Sequence, residues 1–130
     1  MMRLIDGIST SGTVKVLGGL PDEDLTALYN LATMSVYPSL YEGFGFPVIE
    51  SFACGTPAAA SNATSIPEAA GDAAVLFDPT DANEIAGAIE MVLGNEKLRA
   101  EMTEKGLGRA AQFSWEQTAE QVLGVLREVA

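Results

Sequence analysis

Met34-Ser35-Val36-Tyr37-Pro38-Ser39-Leu40-Tyr41-Glu42-Gly43-Phe44-Gly45-Phe46-Pro47-Val48-Ile49-Glu50 runs from a short strand-like segment, through a loop with two glycines, into a helix start. Pro38 stops the strand after Tyr37, because proline cannot donate to a sheet ladder. Pro47 suits the first turn of a helix, where its missing N–H is not needed. Strand, loop, helix is the order of an α/β unit, and in a parallel sheet such loops lie at the carboxyl ends of the strands, where ligands bind.

The flanking sequence repeats that order. Val14-Lys15-Val16-Leu17 reads as an earlier strand, stopped by Gly18-Gly19. Pro21 and the carboxylates of Asp22, Glu23 and Asp24 then open a helix, with Leu25, Leu28, Tyr29 and Ala32 at helical spacing. Pro57-Ala58-Ala59-Ala60 is a further strand whose case rests on position, since alanine is depleted in sheets. Ala74-Val75-Leu76-Phe77 is a stronger one. Beyond it the chain reads as helical. Asp81 with Glu84, and Ser114 with Gln117, are capping-box patterns. Ile85, Ala88, Ile89 and Val92 form one apolar stripe, Leu98 and Met102 mark another helix, and Ala119, Val122, Leu123, Leu126 and Ala130 line the face of a last one. Trp115, beside Phe113, is expected to anchor that last helix by packing. The fold class is therefore α/β, a Rossmann-like parallel sheet with flanking helices, and 130 residues suffice for one domain of ordinary size.

Composition removes several functions. Seven Lys+Arg against 18 Asp+Glu give a net charge of −11, which repels polyanions, so nucleic acid is not an expected partner. The chain has no histidine, hence no Ser-His or Cys-His nucleophilic pair. Cys54 is the lone cysteine, so neither an internal disulfide nor a thiolate zinc cage can form, and no metal site is expected. Cys54 is read as a small packed residue. A reducing cytoplasm suits this composition. With no signal-like run or membrane span, the expectation is a cytoplasmic protein, at most peripheral to the inner membrane face.

The loop carries the chemistry. Gly43 and Gly45 let a ligand approach the backbone, and free amides at the helix starting with Pro47 favour an anion such as a diphosphate. Glu42 precedes the glycines and Glu50 lies about one turn into the helix, so their carboxylates can accept hydrogen bonds from paired sugar hydroxyls at either end of a ligand. Spacing alone is uninformative, since Glu96 with Glu104 and Glu120 with Glu128 repeat it on what read as solvated helix faces. Gly43 and Gly45 are equally at home in a tight strand-to-helix loop, and Phe44 and Phe46 in the core.

The stretch resembles the signature of glycosyltransferase family 4, the retaining group 1 enzymes of the two-domain GT-B fold. The similarity extends from Val14-Lys15-Val16-Leu17-Gly18 through Pro21 to Leu25, Tyr37-Pro38-Ser39, Ala53 to Pro57, Ala60-Ser61-Asn62, Pro67-Glu68 and Ala70 to Ala74, as far as Phe113-Ser114-Trp115. The resemblance implies transfer of a sugar from a nucleoside diphosphate donor, GDP- or UDP-linked, to an acceptor hydroxyl with retention, using no metal or organic cofactor. By it, Glu42 is catalytic and contacts donor-sugar hydroxyls. The amides from Gly43 to Val48 touch the sugar and its distal phosphate, with Phe44, Phe46 and Pro47 shaping the wall, and Glu50 holds the ribose hydroxyls. The segment Ser61-Asn62-Ala63-Thr64-Ser65 leans towards a mannosyl donor.

In that family an N-terminal domain holds the acceptor, and two strand-helix units precede the strand resembling Val14 to Leu17. Residues 1–130 then form part of the C-terminal, donor-binding domain, with no acceptor domain in the chain. The basic pair that clamps the donor diphosphate has no equivalent among Arg3, Lys15, Lys97, Arg99, Lys105, Arg109 and Arg127. With strand order 3-2-1-4-5-6 the missing strands leave a gap beside Met34 to Tyr37. The expectation is that the chain is a truncated or excised piece, or that Val14 to Leu17 re-pairs against Met34 to Tyr37, with another copy completing the exposed edge. The alternative function is a non-catalytic nucleotide-sugar-binding module, or an inactive fragment.

Overall fold

A computed structural model describes residues 14–129. Three strands, β1 (Ser35–Tyr37), β2 (Ala58–Ser61) and β3 (Val75–Phe77), form a parallel sheet in the order β1-β2-β3. Six helices accompany them: α1 (Asp22–Leu31), α2 (Phe46–Ala53), α3 (Ile66–Ala70), α4 (Ala82–Leu93), α5 (Glu96–Ala110) and α6 (Trp115–Glu128). Tyr37 lies opposite Ala60, and Ser61 opposite Phe77, so the carboxyl ends of the strands are level. The loops leaving β1 and β2 therefore start side by side.

The alanines of β2 are wholly buried. Their burial follows from packing on both faces. Ala58 and Ala60 face the core built on Val48, Ile49 and Phe52 of α2, while Ala59 faces Phe77 and Ala88. A larger side chain would hold the helices off the sheet, so the demand for small volume overrides the low strand propensity of alanine. Phe52, 1% exposed, is among the largest fully buried side chains, and its burial is worth about 2–3 kcal/mol. Ser51, also buried, satisfies its hydroxyl by donating to the Thr56 carbonyl at 2.9 Å, and lies 2.7 Å from the Ser35 hydroxyl.

Helix starts follow the expected chemistry, in part. The Asp81 carboxylate accepts from the amides of Asn83 and Glu84, and the Ser114 hydroxyl from the amide of Gln117. The return half of the first capping box is absent, because the Glu84 carboxylate accepts from the Asp78 amide instead, at 2.7 Å. Asn95 caps α5 through the Leu98 amide.

Two expectations are corrected. Val14 to Leu17 forms no strand of the sheet. Strands are stabilised by ladder partners, and among the described residues β1 pairs only with β2, leaving its other edge unpaired. The apolar stripe of α6 is not packed either. No described residue of that helix is buried, Val122, Leu123 and Leu126 are about half exposed, and Trp115 is 77% exposed. The amphipathic pattern was real, but nothing among the described residues covers its apolar face. Ala130 lies outside the described residues.

Candidate functional site

The turn from β1 to α2 is built by one compulsory glycine and one that the fold does not require. Gly45 is the N-cap of α2 with φ 102°, in the left-handed region, and a Cβ there would sit 3.4 Å from Ile66 Cγ1. Conformation and packing both select glycine at this position. Gly43 differs. It lies outside the left-handed region, and a Cβ there would meet nothing within 4 Å. Neither strain nor crowding accounts for glycine at 43.

The amides of Gly43, Phe44, Gly45 and Phe46 have no acceptor among the described residues. They stand at the N-terminal end of α2, where the helix dipole carries positive partial charge. Four of the described cations are engaged away from the turn. Lys105 pairs with Asp72, Lys97 with Glu101, Arg99 with the carbonyls ending α4, and Arg109 with the Glu68 and Ala69 carbonyls in α3. An anion at the turn would thus be met chiefly by backbone dipoles.

Glu42 is held from several sides. Its carboxylate accepts from the Tyr37 hydroxyl at 2.5 Å and from the Ser39 hydroxyl at 2.8 Å. These two bonds, Tyr37 first, hold its pKa below the usual carboxylate value, so it stays ionised at neutral pH. Desolvation, and then the bond to Glu42, push the Tyr37 phenol up to about 12. Linkage fixes the sign. The lowered Glu42 pKa contributes stability above the unfolded carboxyl pKa, and this is lost as pH falls through the folded value. The raised Tyr37 pKa contributes stability that is complete below the ordinary phenol value of 10.0 and lost as pH rises towards about 12. Ultraviolet titration of the phenols is expected to show one ionising near pH 12, absent in Tyr37→Phe. In the same variant the Glu42 carboxyl, followed by carbon NMR, is expected to titrate at higher pH than in the native chain. A tyrosine titration unchanged by Tyr37→Phe would contradict the assignment.

Glu50, exposed on α2, stands about 7.5 Å along the helix from the N-cap at 1.5 Å per residue. It lines a hollow of about 440 Å³ with Asp22, Thr26 and Tyr29 of α1, and Cys54 lines it too, as a partly exposed residue. Glu42 is not part of that hollow, so the two carboxylates flank the turn without sharing a cavity. A second, apolar hollow of about 320 Å³ lies among Phe44, Phe46, Ile49, Phe113 and Trp115. Phe44 is partly buried against the core, with ring centroids 5.0 Å from Phe46 and 5.4 Å from Phe113. Phe46 is 53% exposed and stacks on Trp115 at 6.4 Å. The phenylalanines wall this hollow without filling it. Pro47 and the buried Val48 fix the first turn of α2.

A sequence profile described as "Glycosyl transferases group 1" matches residues 2–109. The chain belongs to the group 1 glycosyl transferase family. Among its relatives, the O-antigen chain mannosyltransferase B of Escherichia coli is 41% identical over 127 residues, which are 98% of this chain and 33% of that protein. The MMP alpha-(1->4)-mannosyltransferase of Mycolicibacterium hassiacum is 36% identical over 95% of the chain and 31% of its own length. The chain thus spans about a third of these relatives. The sucrose-phosphate synthase of Thermosynechococcus elongatus superposes with a TM-score of 0.84 at 32% identity, over 98% of this chain and 34% of that one. Anabaena HepE, solved in complex with UDP, has the same fold, with a TM-score of 0.86 at 22% identity over 98% and 35%. This group 1 glycosyl transferase chain is accordingly α/β, part of a GT-B architecture.

Four residues bearing on the site escaped the sequence reading: Tyr37 and Ser39 as holders of the Glu42 carboxylate, and Thr64 and Ser65 as partners of its backbone. For the first two a local signal existed, five and three residues before Glu42. For the other two, 22 and 23 residues away, none did.

Proposed function

We propose that the chain supplies the donor side of a retaining sugar transfer. The diphosphate of a GDP- or UDP-linked sugar lies on the free amides of residues 43 to 46. Glu50 holds the ribose hydroxyls from the hollow beside α1, and Glu42 faces the donor sugar. The observation carrying this reading is Gly43, a glycine that neither backbone conformation nor packing demands, beside amides without an acceptor. The family membership and the mannosyltransferase relatives support sugar transfer, and favour a mannosyl donor. The nucleotide sugar enters as substrate, with no metal or organic cofactor assigned. The acceptor belongs to the part of the enzyme outside this chain. No helix among the described residues is long and apolar enough to cross a membrane, and we place the reaction in the cytoplasm, at most peripheral to the inner membrane face.

Calorimetry with GDP, UDP, GDP-mannose and UDP-glucose tests the assignment. At least one is expected to bind. Gly43→Ala should weaken that binding about tenfold or more while unfolding within about 0.5 kcal/mol of the native chain, because the added methyl meets only the ligand. Glu50→Ala should cost about 10- to 100-fold through lost charge-assisted hydrogen bonds. Absence of heat with all four would overturn the reading, as would full binding by Gly43→Ala.

A further inference from the structure

The loop after β2 reaches across to the turn after β1, and the contact is made by two hydroxyls on the backbone of one residue. Thr64 Oγ1 accepts from the Glu42 amide at 3.1 Å. Ser65 donates its hydroxyl to the Glu42 carbonyl at 3.0 Å. Thr64 does this from φ 53°, the one non-glycine residue with positive φ among those described. A β-branched side chain in the left-handed region is strained and persists where its surroundings impose it. Here the surroundings are a tight turn, in which Ser61 Oγ takes the Ala63 amide at 3.0 Å and the Ala63 carbonyl takes the Ile66 amide. Ile66 at the far side of this turn is fully buried, and its Cγ1 is the atom that a Cβ on Gly45 would meet first. The β2 loop therefore touches the donor turn both at its first residue, through hydroxyls, and at its N-cap, through Ile66.

We infer that Thr64 and Ser65 are positioning residues, which clamp the Glu42 backbone so that its carboxylate and the amides following it keep one orientation towards the donor. This inference rests on the donor-site reading for its functional meaning, but its structural content does not. Both backbone groups of Glu42 are fixed from β2, and its carboxylate is fixed from β1 by Tyr37 and Ser39. Without the clamp on the backbone, the two hydroxyls from the β1 side have no fixed carboxylate to meet. Neither Thr64 nor Ser65 need touch the substrate.

Thr64→Val keeps the branched shape and the backbone demand but removes the acceptor, and Ser65→Ala removes the donor. Thr64→Ser keeps a hydroxyl at 64 and serves as the conservative control. In the full chain, carbon NMR titration of the Glu42 carboxyl is expected to move to higher pH in Thr64→Val, and further in Thr64→Val/Ser65→Ala, with Thr64→Ser staying near the native midpoint. Calorimetry with the nucleotide sugar that binds the native chain should show affinity falling roughly threefold to tenfold per lost hydroxyl, and native affinity in Thr64→Ser. If the double variant does not fold, the two single variants carry the same comparison. An unmoved Glu42 titration in folded Thr64→Val and Ser65→Ala overturns the clamp, whatever binds. A titration that moves in a chain to which no nucleotide binds leaves the clamp standing and removes the donor-site reading instead.

Discussion

Glu42→Gln is expected to lower the rate of sugar transfer about 10²- to 10³-fold, while affinity for the free nucleoside diphosphate stays within about threefold. The argument starts from what the substitution preserves. Glutamine keeps the size of the side chain and an oxygen that can still accept from the Tyr37 and Ser39 hydroxyls, so the turn should hold its shape. It removes the charge. Two hydroxyls hold the native carboxylate ionised, on a backbone fixed from β2, so a negative charge stands at a constant place beside the turn. Departure of a diphosphate from a sugar leaves positive charge developing on the sugar ring, and a fixed negative charge stabilises that state more than the neutral ground state. In the proposed site the diphosphate would rest on amides that the substitution does not touch. The loss should therefore appear in kcat rather than in KM, measured as transfer or donor hydrolysis by the enzyme carrying this chain, with nucleotide affinity measured separately. A parallel loss of nucleotide affinity would move Glu42 from catalysis to binding, and an unchanged kcat would remove it from the reaction.

The parts of this site that the sequence announced are those built from neighbours in the chain. The strand ending at Tyr37, the loop, and the helix with Pro47 in its first turn follow from local propensity, as do the caps at Asp81 and Ser114. The sequence reading failed wherever the deciding contact lay far along the chain. Val14 to Leu17 has strand composition, yet a strand needs a ladder partner, and composition does not say whether one is in reach. The stripe on α6 was legible as amphipathic, but its covering was assumed and is absent among the described residues. Ala58 to Ser61 shows the reverse: weak strand composition makes a fully buried strand because helices press on both of its faces. Thr64 and Ser65 lie in a turn, and the sequence offered them only as part of a segment leaning towards a mannosyl donor. Their aim at Glu42 comes from the level carboxyl ends of β1 and β2, a property of the sheet register. For Gly43 and Gly45 the sequence offered two explanations, a tight loop and ligand approach, and backbone geometry shows that the fold requires glycine at 45 but not at 43.

Gly106→Val is expected to destabilise the chain by about 3 kcal/mol, and to disturb the turn from β1 to α2 with it. The cause is the closest approach between α2 and α5. A Cβ at Gly106 would stand 2.9 Å from Phe52 Cδ1, 3.1 Å from Cγ and 3.4 Å from Cβ. Those atoms belong to the root and near edge of a ring that is 1% exposed, with core on its other sides, so it cannot swing away as a flexible chain end would. Alanine at 106 would recover nearly 1 kcal/mol of helix propensity over glycine and partly offset the clash, whereas valine forfeits most of that gain and adds two methyls to the overlap. Phe52 lies about two turns past the α2 N-cap, so a shift of its ring moves the helix that starts at the free amides and carries Glu50 one turn in. Phe52→Leu frees space where the valine enters. Urea unfolding of the two single variants and the double variant should therefore show coupling, with the double at least about 1 kcal/mol more stable than the summed losses predict. Nucleotide affinity is expected to fall in Gly106→Val and recover in part in the double variant. Strict additivity would mean that the α2–α5 contact yields by backbone movement elsewhere, and that the ring of Phe52 does not set the position of the donor turn.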